Sequence, residues 1–237
     1  MTNNLNMKSS KPLFLKSKPL ARKKLPEIYR ALRKSFGHQR WWPGETPFEI
    51  MVGAILTQNT SWTNVEKAIQ NLKQADKLTP KAIQAIPVDE LAELIRPSGY
   101  FNIKAKRLKF FITYLFEKYA GDLKRMARQK GTNLRKELLE VNGIGPETAD
   151  SILLYALQKP FFVIDAYTKR IFSRHGLISQ KDLLQFTYDD WQQLFTAALP
   201  AKLSLYNDFH AQIVMLAKSF CRSREALCTA CPLAIYL

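Results

Sequence analysis

The sequence predicts an all-α protein, and three observations predict it. Apolar residues recur at i, i+3, i+4 and i+7 through most of the 237 residues. Strand-like alternation is nearly absent: the one candidate is the apolar run PFFVID at 160–165, too short to build a sheet. Pro43, Pro80, Pro87, Pro97, Gly99, Gly121, Gly131, Pro160 and Pro200 punctuate the periodic stretches and mark turns between helices.

Residues 1–24 are basic, poor in acid and without periodicity, and read as a flexible arm. Phe48, Met51, Val52, Ile55 and Leu56 then form the apolar face of one helix. Val65, Ala68, Ile69 and Leu72 form a second, and Leu108, Phe111, Ile112 and Leu115 a third. Leu134–Val141 predicts a short helix. Pro146 suits the first turn of the next, because its missing N–H would have been an unpaired donor there. Ala149, Ile152, Leu153 and Ala156 continue it, so 134–157 reads as helix, hairpin, helix. Tyr206, Phe209, Ile213, Val214, Ala217 and Phe220 make a last long helix.

Charge narrows the partner. Lys and Arg number 36 against 20 Asp and Glu, a net charge of +16, and such a positive field attracts polyanions. A membrane reading is weak, since no apolar run approaches the roughly 20 residues of a spanning helix. The N-terminus has basic residues but no apolar core of a secretory signal, so a cytoplasmic location is expected. Three cysteines, all in the last seventeen residues, argue against a disulfide framework and for a metal site or its remnant. His38, His175 and His210 show no metal-ligand spacing, and His210 is expected to pack or cap.

The stretch EVNGIGPETAD at 140–150 is open to two readings. Gly143 and Gly145 permit positive φ and leave no Cβ in the way, so backbone N–H groups around Ile144 can face a phosphate at the start of the new helix. The other reading is an ordinary helical hairpin ended by glycine.

The hairpin and the residues C-terminal to it carry a resemblance. LLEVNGIGPETADSILLYALQKPFFVIDAYTKRIF resembles the helix-hairpin-helix, Gly/Pro-rich loop and aspartate signature of the endonuclease III superfamily of DNA glycosylases. GAILTQNTSWTNV, SGYFNIKAKRLKFF and the terminal cysteines extend the likeness from about Leu25 to the C-terminus. The resemblance implies two helical lobes with the active-site cleft between them. One is a helical barrel at 39–158 holding the hairpin; the other joins 25–38 to 159–237 and carries the cysteine loop. It places Asp165 at the catalytic aspartate, Gln58 at the side chain that fills the gap left by a flipped nucleotide, and Gly143, Ile144 and Gly145 on the DNA backbone.

The same resemblance reads the departures. Bifunctional members carry a lysine at the hairpin position occupied here by Glu147; a carboxylate forms no Schiff base, which implies a glycosylase without lyase activity. Glu147 also suits a first helical turn, where the dipole favours acid. The adenine-excising branch carries a protonating glutamate at the position of Gly53. Its absence implies a leaving base already made cationic by alkylation, which aromatic walls would select. QRWWPGETPFEI and the residues after LTQNTS look like endonuclease III-like 3-methyladenine DNA glycosylases, making Trp41, Trp42, Pro43 and Trp62 candidate pocket residues. Each tryptophan is equally a candidate for the core. Lys218 matches a pocket lysine of that branch, although a lone helix lysine commonly faces solvent.

Cys221, Cys228 and Cys231 reproduce three ligands of the superfamily's [4Fe-4S] loop. The fourth position is Leu237, so four thiolates cannot close the cage; either the cluster is lost, the favoured expectation, or three thiolates and an outside ligand hold it. The chemistry itself needs no cofactor: a carboxylate at Asp165 stabilises the cationic sugar and orients water. The expectation is a monomeric, monofunctional glycosylase acting on damaged bases, alkylated purines above all, in double-stranded DNA. The alternatives are a glycosylase for oxidised or deaminated bases, or a non-catalytic DNA-binding module.

Overall fold

The computed structural model describes residues 11–41, 44–178 and 183–236. Among them there is no β-strand, only an isolated bridge between Cys221 and Ala226. The chain forms two compact units. One joins residues 1–41 to 162–237, and the other spans 42–161.

The first unit opens with α1, Lys11–Phe36. This corrects the arm expected over 1–24, of which only residues 1–10 lie outside the described part. Ala21, Leu25, Ile28 and Leu32 are buried on one ridge of α1. Pro19, Pro26 and the crowd of basic residues obscure that ridge in the sequence.

The second unit holds α2 (Pro47–Leu56), α3 (Trp62–Gln74), α4 (Pro80–Ala85), α5 (Val88–Leu94), α6 (Phe101–Tyr119), α7 (Leu123–Ala127), α8 (Gly131–Glu140) and α9 (Pro146–Ser151). A single π-helical stretch, Ile152–Ala156, carries α9 onward. Threonine–proline pairs start two of these helices. Thr46 accepts the Glu49 N–H at 3.1 Å ahead of α2, and Thr79 the Ala82 N–H at 3.2 Å ahead of α4, while proline fills the first helical position of each. Helix α2 is buried almost all round and is the axis of the unit, packed by α3, α6, α9 and the π segment. Its last carbonyl, Leu56 O, accepts the Lys104 ammonium at 2.8 Å; the same ammonium reaches Ser98 O at 2.7 Å.

The first unit resumes with α10 (Ala166–Arg174), α11 (Tyr188–Ala198) and α12 (Leu203–Ser219). Helix α1 packs on α11 and α12, and α10 on α12. Thr187 and Asp190 close a reciprocal capping box at the start of α11. An aromatic cluster fills this core: Phe162 stacks on Phe195 at 4.4 Å between centroids, and Phe172 meets Phe195 edge-on at 5.0 Å. The apolar run at 160–165 is therefore a connector that buries Phe162, Val163 and Ile164, not a strand.

Candidate active site

Asp165 ends that buried connector and is the N-cap of α10. Its Oδ1 accepts the Thr168 N–H at 2.7 Å and the Thr168 hydroxyl at 2.8 Å. The structure shows the cap, and the cap spends only one of the two carboxylate oxygens. Oδ2 faces His210, whose Nε2 lies 3.5 Å away; the two side chains are 13% and 7% exposed. Burial pushes the Asp165 carboxyl up, but His210 and the two Thr168 donors outweigh burial and hold it below the usual carboxylate range. The group is a carboxylate at neutral pH.

The sequence predicts only packing or capping for His210, so its place beside Asp165 is what sequence reasoning missed. Helix α12 brings it there. Two residues earlier on the same helix, buried Asp208 accepts the Tyr29 hydroxyl at 2.8 Å, Arg33 at 3.2 Å and the Gln39 N–H at 3.0 Å. Two residues later, Gln212 donates to Gly37 O. These bonds fix the segment after α1 along α12 and lay Trp41 against the His210 ring, centroids 6.0 Å apart and planes 30° apart. Trp41, His210 and Asp165 therefore stand in one row. Lys218 is exposed in the last turn of α12. Trp42 and Pro43 lie outside the described residues.

In the second unit the hairpin is built as its sequence suggests, with two corrections. Gly143 has φ +86 and a Cβ there would collide with the Arg107 side chain, so this position requires glycine. Gly145 has φ −90 and ψ 177, an ordinary extended conformation, and a Cβ added there meets nothing within 4 Å. Ile144 is buried and its N–H bonds Val141 O at 3.0 Å, so that N–H does not face outward. Among the described residues no backbone carbonyl takes the N–H of Gly143 or Gly145. A bidentate pair ties α8 to α9: Arg135 Nε reaches Asp150 Oδ1 at 2.8 Å and its terminal nitrogen Oδ2 at 3.3 Å, with Asp150 fully buried. Arg135→Ala leaves that carboxylate without its guanidinium. An expected loss of about 3 kcal/mol in unfolding free energy, read from urea melts, tests the pair; an unchanged midpoint and slope would show the staple to be idle.

Gln58, just past α2, is bound to this hairpin. Its amide donates to Gly143 O at 2.9 Å and to Thr148 Oγ1 at 3.0 Å, and its oxygen accepts from Arg107. Trp62 opens α3 and lies over Gly53, where a Cβ would come within 3.3 Å of its ring. Glycine at 53 thus makes room for the indole. Glu147 is exposed in the first turn of α9.

The terminal loop gathers its cysteines without completing a set of four. Cys221, Cys228 and Cys231 line one small cavity together with Arg174 and His175. Cys221 Sγ accepts from Arg174 at 3.3 Å and Cys231 Sγ from the Leu233 N–H at 3.4 Å. Burial pushes the Cys231 thiol up; the Leu233 N–H lowers it, and Cys221 and Cys228 nearby raise it again. Among the described residues no three His, Cys, Asp or Glu side chains converge closely enough to hold a metal ion. Position 237, a leucine, lies outside the described part and offers no thiolate. The donors present do not fit a four-thiolate cluster.

The model of the HhH-GPD superfamily base excision DNA repair protein matches residues 52–195, a span that contains the hairpin, the connector and Asp165. The chain belongs to that superfamily. This HhH-GPD protein is 51% identical, over 87% of its own length and 92% of the relative's, to a provisionally named DNA repair glycosylase of Methanocaldococcus jannaschii. It is 26% identical to the endonuclease III of Thermotoga maritima over 78% of this chain and 79% of that one. The crystal structure of H. pylori 3-methyladenine DNA glycosylase bound to 1,N6-ethenoadenine matches with a TM-score of 0.69 at 32% identity, covering 81% of the HhH-GPD chain and 96% of that protein. Among the described residues no helix is long and apolar enough to cross a membrane.

Proposed function

We propose that this DNA glycosylase of base excision repair is monofunctional and releases alkylated purines of the 3-methyladenine type from double-stranded DNA, with Asp165 as its catalytic carboxylate. One observation carries the reading: an ionised aspartate is present at the start of α10, while the hairpin position that would carry a lyase amine is an exposed glutamate. Breaking the glycosidic bond builds positive charge on the deoxyribose. Asp165 stabilises that charge and orients the attacking water. A ring alkylated at N3 or N7 is already cationic, so it departs neutral without a proton, consistent with glycine at 53. Nucleotide flipping is served by Gln58 at the hairpin, and the backbone of Gly143 and Gly145 anchors phosphate.

Two lysine amines that burial tunes toward the neutral form are taken up elsewhere in the fold. A Schiff base needs a neutral amine, and among the described residues the two lysines whose ammonium groups are pushed down are both occupied. Lys104, brought to about 8 by burial and then by Arg107, is buried and donates to two carbonyls. Lys109, lowered by burial, donates to the carbonyls of Ile83, Gln84 and Ile86. Likeness to the 3-methyladenine glycosylase supports the alkylated substrate.

Chromatography of free bases released from methylated duplex tests the substrate. Release of 3-methyladenine or 7-methylguanine is expected; release only from oxidised or deaminated duplex would replace the substrate class. Borohydride added during the reaction is expected to trap no protein on DNA, and efficient covalent trapping at any lysine would end the monofunctional reading.

A further inference from the structure

We infer that His210 is a positioning residue for this reaction: its Nε2 is directed at Oδ2 of Asp165 from 3.5 Å and steadies that oxygen as a charge partner, while Trp41 stacked on its ring fixes the imidazole plane. The inference rests on the assignment of Asp165 as the catalytic carboxylate. The two carboxylate oxygens have separate keepers. Thr168, on the same helix, takes Oδ1 through its N–H and hydroxyl, and this contact is the helix cap. His210 comes from α12 and approaches Oδ2 at 3.5 Å. A capping aspartate needs only the first of these. The second contact couples the carboxylate to a different element, and that element is itself fastened on either side of His210 by Asp208 and Gln212.

The physical consequence is control of both orientation and charge. A carboxylate left at this depth with Thr168 alone would be pushed up by burial, and His210 is the foremost influence opposing that push. The groups acting on Asp165 are thus Thr168 from α10 and His210 from α12. Trp41, from the segment after α1, supports the ring without a titrating group of its own. Sign follows directly: with His210 in place the carboxyl stays ionised to lower pH, so the acid limb of the rate lies below the usual carboxylate range. Without His210 it moves up.

Two substitutions separate a donor from a packing ring. His210→Phe keeps a ring against Trp41 and removes the donor; His210→Gln keeps a donor and removes the ring. Single-turnover release of 7-methylguanine from methylated duplex, measured across pH 3.5–8 (an assay range of about 4 to 5 units chosen to span the carboxylate window), reads both. We expect His210→Phe to lose about tenfold or more in rate and to move the acid limb up by about one unit. His210→Gln should recover much of the rate and part of the limb, with affinity for undamaged duplex unchanged in both. A Phe variant that matches wild type in rate and limb, or a Gln variant worse than Phe, overturns the inference. Should wild type release no alkylated base, the substrate reading fails and His210 is judged without substrate. Titration of the Asp165 carboxyl by carbon-13 NMR in the free protein is then expected to show a higher midpoint in His210→Phe than in wild type. Equal midpoints there reduce His210 to packing.

Discussion

Asp165→Asn is expected to lower single-turnover release of alkylated bases by at least about 10²-fold while damaged duplex remains bound. The substitution isolates charge. Asparagine is as good an N-cap as aspartate, so the Thr168 N–H keeps an acceptor and α10 keeps its start. The melting temperature should therefore stay close to that of wild type, and loss of turnover cannot be blamed on unfolding. Asp165→Ala is the informative companion: it removes cap and charge together and should add a stability cost of about 1 kcal/mol. An Asn variant that excises at close to the wild-type rate would remove Asp165 from the chemistry and leave it a cap alone.

Gly145→Asp is expected to weaken binding of damaged and undamaged duplex alike, by about tenfold or more at moderate salt, because it sets a negative charge where backbone N–H groups would meet a phosphate. The local geometry makes this substitution clean. Its φ of −90 suits any residue, and no atom stands within 4 Å of the added Cβ, so the fold has no reason to object. Gly143→Ala would not be clean, since its positive φ and the Arg107 side chain both resist a Cβ. Trp62→Ala supplies the contrast: excision should fall while affinity for plain duplex holds. If Gly145→Asp melts like wild type and binds plain duplex as tightly at matched salt, the hairpin is only a turn.

Helical class and the hairpin were determined by the sequence alone, whereas Asp165, eight residues past the hairpin, was singled out by resemblance and by its own residue type reads only as a cap. Period-3.6 patterning, Pro146 at a first helical position and the Gly143–Pro146 turn are local, and local signals survive without a tertiary context. Other features were decided only by tertiary structure. Prolines and basic residues mask the start of α1 in the sequence; Ala21 and Leu25 become a helical ridge because other elements of their unit cover them. Gly143 and Gly145 look alike in sequence, yet only the first needs glycine, because Arg107 lies thirty-odd residues away along the chain and next to it in space. His210 is the plainest case. Nothing in its neighbours marks it, and its meaning depends on α12 laying one imidazole against a carboxylate from the start of α10 and an indole from the segment after α1. Long-range juxtaposition of this kind is set by packing of whole helices, which no window of residues encodes.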